Sequence, residues 1–248
     1  MNLDGLIEIL CAERGERVPA LKESEKPDYF RALSNVRPPM PVSGKFLRWQ
    51  DEYLSEEARR RGIVDVNGLS YFGNFAIFKG DILTLNADAI VNAANSAMLG
   101  CFHPLHHCID NAIHSAAGVQ VRLDCNAAMR GKQAENGEVL VTRAYNLPSK
   151  FIFHTVGPIV RGRVTAQNVA DLKKCYVSCL EKADETQLKS IAFCCISTGV
   201  FGYPKKEAAV VAVRAAKEYF EQKNSGLKVI FNVFTEEDDA IYKRIFGM

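Results

Sequence analysis

Charge bias is nearly absent from this sequence: 31 Lys and Arg stand against 29 Asp and Glu, for a formal net charge of +2. Neither sign collects into a run long enough to form a tail. A general nucleic-acid binder normally shows a basic stripe, so that class is not expected. Long apolar runs are missing as well, and none approaches the roughly 18 residues of a membrane span. No membrane partner is expected. The opening residues, Met1-Asn-Leu-Asp-Gly-Leu-Ile-Glu8, have neither the positive start nor the apolar stretch of a secretory signal. The expectation is therefore a soluble, cytoplasmic protein. Internal repeats and low-complexity linkers are absent too. With 48% hydrophobic and 24% charged residues, wholesale disorder is excluded.

Cysteine, by contrast, is plentiful, with eight in 248 residues. A reducing compartment disfavours a disulfide framework, and a chain of this length builds a core without one. Cys194 and Cys195 lie in the apolar run Ile191-Ala-Phe-Cys-Cys-Ile196 and read as small buried hydrophobes. Cys175 and Cys179 share one face of an expected helix, while Cys11 and Cys125 are isolated. Cys101 and Cys108 differ, because His103, His106 and His107 stand between them.

Residues 1–70 read as helical throughout. Leu3, Leu6, Ile7 and Leu10 have the spacing of one helix face, as do Tyr29, Phe30, Leu33 and Val36, and then Phe46, Leu47, Trp49, Tyr53 and Leu54. The run Arg59-Arg-Arg-Gly62 is a helix stop signal, which makes the three arginines a solvated helix end rather than a phosphate site. From residue 71 the pattern changes. Short β-branched and aromatic runs at 75–78, 89–92, 139–145, 151–156, 191–196 and 229–234 alternate with helical stretches near 109–117, 166–184 and 205–223. A closing helix spans 236–246. This alternation predicts an α/β sandwich around a mixed sheet over 71–248, preceded by a helical N-terminal extension over 1–70.

In open α/β sheets, ligands sit beyond the carboxyl ends of the strands. Two loops there carry chemistry. One runs from Asn95 through Gly100-Cys-Phe-His-Pro-Leu-His-His-Cys108 into a helix beginning near Ile109-Asp110. Two thiols and an imidazole within eight residues suit Zn²⁺, and three protein ligands leave a fourth position open, as in catalytic sites. On spacing alone, His103, His106 and His107 compete for the imidazole role. The other loop, Ser197-Thr-Gly-Val-Phe-Gly-Tyr-Pro204, precedes a helix N-terminus, where free N–H groups favour a phosphate.

Five motifs, in order, resemble those of macrodomains: Gly80-Asp-Ile82, Asp88-Ala-Ile-Val-Asn-Ala-Ala-Asn-Ser96, Ile109-Asp-Asn-Ala-Ile-His-Ser-Ala-Ala-Gly118, His154-Thr-Val-Gly-Pro158 and Ser197–Pro204. The cysteine-bearing insertion and the helical extension resemble, more narrowly, the zinc-containing microbial macrodomains. That resemblance implies an α/β/α fold and hydrolysis of mono-ADP-ribose from modified proteins. It also implies pathways linked to sirtuin-type transferases and lipoyl-carrier proteins.

By the same resemblance, Asp81 faces the adenine amino group, for which an acceptor-only carboxylate is suited, and Ile82 adds a backbone N–H and apolar contact. Asn92 and Asn95 match the asparagines at the distal ribose. Ser197, Thr198, Gly199, Val200, Phe201, Gly202 and Tyr203 wrap the diphosphate, with Phe201 beside the distal ribose. Cys101, His106 and Cys108 would hold one zinc ion. Asp110 matches the aspartate that activates water, although a helix N-terminus also suits a carboxylate as a cap. His114 and His154 read as packing residues.

The expected activity is metal-assisted cleavage of the bond between ADP-ribose C1″ and an acceptor side chain, an ester to Asp or Glu, with Asn95 and Asp110 catalytic. A non-catalytic ADP-ribose reader, and a zinc-stabilised adaptor docking through residues 1–70, are the alternatives from other classes.

Overall fold

A computed structural model describes residues 2–248. The N-terminal segment forms three helices, α1 (Leu3–Glu13), α2 (Lys26–Val36) and α3 (Gly44–Arg61). Each start has a local cause. The Asn2 side chain accepts from Gly5 N at α1, Pro27 stands in the first turn of α2, and Ser43 caps α3 through Phe46 N. The expectation of helix throughout 1–70 is corrected beyond Arg61. There the chain extends, and Val64 bridges Leu85 in parallel.

Seven strands follow: β1 (Tyr71–Phe72), β2 (Phe75–Lys79), β3 (Ala89–Ala94), β4 (Val139–Arg143), β5 (Phe151–Val156), β6 (Ser190–Phe193) and β7 (Lys228–Val233). They form one sheet in the order β1-β2-β7-β6-β3-β5-β4. The five inner strands are parallel, and the pairings β1/β2 and β4/β5 at the two edges are antiparallel, so the sheet is mixed. β3 and β6 read as continuous apolar runs because helices cover both faces.

The helices are α4 (Ile109–Ala117), α5 (Val119–Met129), α6 (Ala166–Glu185), α7 (Lys205–Gln222) and α8 (Glu236–Phe246). The β5–α6–β6 and β6–α7–β7 crossovers run in the same direction along the sheet, and right-handed connections put α6 and α7 on one face. α8 packs beside α7 there, while α4 and α5 cover β3 and β4 on the other face. This is the expected α/β/α sandwich.

Two elements escaped the sequence reading. β1 is only two residues long, too short for an alternating pattern. α5 mixes Val121 and Cys125 with a buried Arg122, which blurs its apolar stripe.

Arg122 ties the extension to the sandwich. Its Nε donates to Leu99 O at 2.7 Å and its Nη1 to the carbonyls of Ser34 and Arg37, while the guanidinium lies 4.2 Å from the Phe102 ring centroid. Gln50 of α3 accepts from Val119 N at 2.9 Å. The apolar core of the three N-terminal helices, around Leu6, Leu10, Phe30 and Phe46, closes on Val119 of α5.

These shared contacts predict one cooperative unit. Trp49, the single tryptophan, lies on α3. Its fluorescence transition in urea should therefore coincide with the circular-dichroism transition of the whole chain. Phe46→Ala empties a fully buried position and should shift both transitions together, by about 3–5 kcal/mol. Separate transitions would show the extension unfolding on its own.

Candidate functional site

The carboxyl ends of β2, β3, β5, β6 and β7 face the same way, and the loops leaving them bring the expected residues to one end of the sheet. A surface recess near Asn74, Phe75 and Phe220 is at the opposite end of β2 and β7.

At the centre is Asp110, in the first turn of α4 and buried. Its Oδ1 accepts from Asn92 Nδ2 at 2.7 Å, and Asn95 Nδ2 lies 3.4 Å from its Oδ2. Burial pushes its carboxyl up to about 6, although the Asn92 hydrogen bond and Arg122 pull the other way. Asp110 does not cap its helix. Cys108 does, with Sγ accepting from Asn111 N at 3.3 Å. The carboxylate is thus free of the competing role that the sequence left open.

Asn92 is fully buried behind Asp110. Its Nδ2 reaches both Asp110 and, at 3.1 Å, His154 Nδ1. An amide nitrogen only donates, so His154 Nδ1 accepts and its Nε2–H points to Thr142 Oγ1 at 3.0 Å. Burial holds His154 near 3, as the neutral tautomer this chain of bonds requires. The structure therefore places Asn92 as the support that orients Asp110, and Asn95 on the half-buried side of the carboxylate. Asn95 is itself held by Gly100 O at 3.1 Å. His114 packs one turn beyond Asp110 with Nε2 at 3.5 Å from Oδ1. Burial keeps this imidazole well below its usual range, so the contact is not an ion pair. Gly100 is required here, since a Cβ on it would meet the His114 ring at 2.8 Å, at a φ of +82°.

Two residues before Asp110 lies the thiol and imidazole group. The ligand atoms of Cys101, His106 and Cys108 all fall within 4.8 Å of one another, with Cys101 Sγ 3.6 Å from His106 Nδ1. Sulfur and nitrogen ligands around a tetrahedral zinc, at bonds of about 2.0–2.3 Å, are separated by about 3.5–3.8 Å. The donor set and its spacing fit that ion. His103 and His107 are exposed and outside the cluster. The buried trio His114, Cys125 and His154 is also compact, but both ring nitrogens of His154 are already engaged with Asn92 and Thr142.

The 197–203 loop forms a tight turn. Ser197 adopts φ +66°, its carbonyl accepts from Tyr203 N at 3.0 Å, and Gly202 N donates to Gly199 O at 3.0 Å. Among the described residues, the N–H groups of Gly199, Val200 and Phe201 meet no acceptor. Val200 is 77% exposed. Phe201 O accepts from Val160 N, tying the loop to the exit of β5. Gly157 in that exit allows close approach, since a Cβ there would lie 2.2 Å from Ser197 Oγ. Free N–H groups beside the start of α7 are an arrangement suited to an anion. Ser197 and Tyr203 have buried side chains, while Thr198 is half-buried with its hydroxyl on Cys195 O.

Asp81 sits where β2 ends. One oxygen accepts from Leu83 N at 3.0 Å, and the other lies 3.6 Å from Arg61 Nε. The reading of all three arginines as a solvated helix end is corrected by this contact: Arg59 and Arg60 pair with Glu56 and Glu57, but Arg61 crosses to Asp81. Ile82 points its side chain into the core, leaving a ligand only its N–H. Sequence reasoning missed Phe234, which is 76% exposed and directly follows Val233, the partner of Gly80 N. It read as the end of a buried strand, and no local signal marks it as exposed.

The sheet order, the turn of free N–H groups and the Asn92–Asp110–Asn95 cluster are those of a macrodomain, and the chain belongs to that family. The sequence pattern of the Macro domain matches residues 91–212. A protein from Treponema medium called protein-ADP-ribose hydrolase is 45% identical, with 98% of this chain and 97% of that one aligned. A protein of the same name from Staphylococcus aureus (strain MRSA252) is 48% identical, over 99% and 95%. Among solved structures, the Trypanosoma brucei macrodomain in complex with ADP-ribose superposes with a TM-score of 0.68 at 29% identity, covering 84% of this chain and 92% of that one. The Oceanobacillus iheyensis macrodomain with ADP gives 0.64 at 35% identity, over 72% and 94%.

The buried carboxylate generates a stability prediction. Its folded value of about 6 exceeds the ordinary 3.8, so the native state holds this proton more tightly than the unfolded chain, and stability falls as pH rises through that interval. In chelator, Asp110→Asn should become more stable than the parent between pH 4 and pH 7, by roughly 1–3 kcal/mol at the upper end. Parallel stability curves for the two proteins in urea melts would refute this.

Proposed function

We propose that this chain is a zinc-dependent protein-ADP-ribose hydrolase acting on mono-ADP-ribosylated proteins. The observation that carries the reading is the Cys101–His106–Cys108 group two residues from a buried carboxylate flanked by two asparagines. The names of relatives aligned over nearly the whole chain support it. So do the nucleotides bound by the two solved macrodomains.

In this reading the turn at 199–201 holds the diphosphate through its backbone N–H groups. Asp81 accepts from the adenine amino group, exchanging its contact with Arg61, and Phe234 supplies a flat apolar surface beside it. These contacts are remote from the reacting carbon and fix the distal ribose at Asp110. Asn95 binds ribose hydroxyls. Asp110, held by Asn92 and in turn by His154, takes a proton from the attacking water.

Cys101, His106 and Cys108 would hold one Zn²⁺, which when bound lowers the pKa of a coordinated water or polarises an oxygen of substrate. Water is consumed, the C1″–oxygen bond is cleaved, and free ADP-ribose and the acceptor carboxylate result. A carboxylate of Asp or Glu leaves readily without a strong general acid, which is why the ester linkage is the preferred substrate. A lipoyl-carrier protein modified by a sirtuin-type transferase is the first acceptor to assay, and the cytoplasm the compartment assigned.

The test joins metal analysis of the purified protein to release of ADP-ribose from a modified protein, with and without chelator. About one zinc per chain is expected, and Cys108→Ala should lose both zinc and at least about 100-fold in turnover. Turnover surviving in a verified metal-free variant would overturn the zinc dependence. Tight ADP-ribose binding with no release under any metal condition would make the protein a reader instead.

A further inference from the structure

The loop bearing the zinc ligands is anchored by the N-terminal extension. Resting on the zinc reading above, we infer that α2 is part of the metal site, with Arg31 and Asn35 as positioning residues for His106. Arg31 Nη2 donates to His106 O at 3.2 Å and to Asn111 Oδ1 at 2.8 Å. Asn111 Nδ2 donates to His103 O at 2.9 Å, so one guanidinium controls the backbone on both sides of the bend before His106.

Asn35 is 2% exposed. Its Oδ1 accepts from Leu105 N at 3.0 Å, and its Nδ2 donates to Ser115 Oγ at 2.8 Å. Leu105 adopts φ +54°, a left-handed conformation that a leucine holds only when its surroundings impose it. The residue before the ligand histidine is therefore kept in an unfavourable backbone state by a side chain 70 positions earlier.

The start of the loop is fixed from the same helix. Arg122 joins Ser34 O to Leu99 O and faces the Phe102 ring on either side of Cys101.

Three ligands from one irregular loop need such support. Cys108 is held by α4, whose N-terminus it caps, whereas His106 sits in a loop segment without secondary structure. Removing Arg31 or Asn35 lets the 103–106 segment relax toward ordinary backbone angles and turns the imidazole away from the thiols. Supporting groups outside a metal's own ligands commonly set affinity by about 10–100-fold. α2 keeps its apolar anchors, Phe30 and Leu33, in these variants.

The experiment measures zinc affinity by competition with a chromophoric chelator for the full-length parent, Arg31→Ala, Asn35→Ala and the conservative Arg31→Lys. Cobalt-substituted absorption spectra and the stability of each metal-free protein accompany it. Expected are about 10–100-fold weaker zinc binding in the two alanine variants and partial recovery in Arg31→Lys, whose ammonium keeps the charge and donors but sits on a shorter stem without the planar guanidinium. The thiolate-to-cobalt bands should shift. The metal-dependent increment in melting temperature should shrink more than the stability of the metal-free form.

Unchanged zinc affinity and cobalt spectra in both alanine variants would overturn the inference while leaving the zinc reading intact. Equal loss of metal-free stability and of affinity, without rescue by lysine, would reduce α2 to general support and overturn it too. A parent chain that binds no zinc removes the reading and this inference with it.

Discussion

The interaction on which the rest depends is the burial of Arg122. A guanidinium 5% exposed, with three backbone carbonyls and an aromatic ring as partners, has paid its desolvation through geometry that only the assembled protein provides. Burial lowers it to about 10, still protonated at neutral pH, with Asp110 and Cys101 among the groups that favour its charge. The extension, the 99–108 loop and α5 all meet at this cation. Truncating it would leave Leu99, Ser34 and Arg37 carbonyls without their donor, a larger loss than the removal of one surface ion pair.

Around it the site divides into a rigid part and an adaptable one. Asp110, Asn92, His154 and Thr142 form a buried sequence of bonds in which each donor and acceptor is determined by its neighbour. Such a network fixes the carboxylate before any ligand arrives. The 199–201 turn and the Asp81 corner are open by contrast, with exposed apolar side chains at Val200 and Phe234. In the proposed hydrolase, preorganisation lies at the Asp110 end and adaptability at the Asp81 end.

Much of this was legible in the amino-acid order. The parallel strands announced themselves as apolar runs because both of their faces are covered, and the turn before α7 by its glycines. Cys101, His106 and Cys108 stood out because two thiols and three imidazoles fall within eight residues of sequence. What could not be read depends on long-range geometry. Nothing local distinguishes Arg61 from Arg59 and Arg60, yet only Arg61 reaches Asp81. Asn92 and Asn95 look alike in sequence, but Asn92 lies within β3, fully buried beneath Asp110, and Asn95 just past the end of the strand, beside it. Arg31 and Asn35 are ordinary polar positions on an amphipathic helix until the loop folds against them.

Cys108 occupies the cap position of α4 and Asp110 the first turn of that same helix. The separation between thiol and carboxylate is thereby fixed by helical pitch rather than by loop conformation. Insertions or deletions between Gly100 and His106 move Cys101 and His106 relative to each other and reshape the rim, but they cannot change the span from Cys108 to Asp110. In a lineage drifting in loop length, that pair would behave as one inherited ruler. Redesign of the proposed metal site has its freedom at Cys101 and His106, which lie in the loop, and not at Cys108.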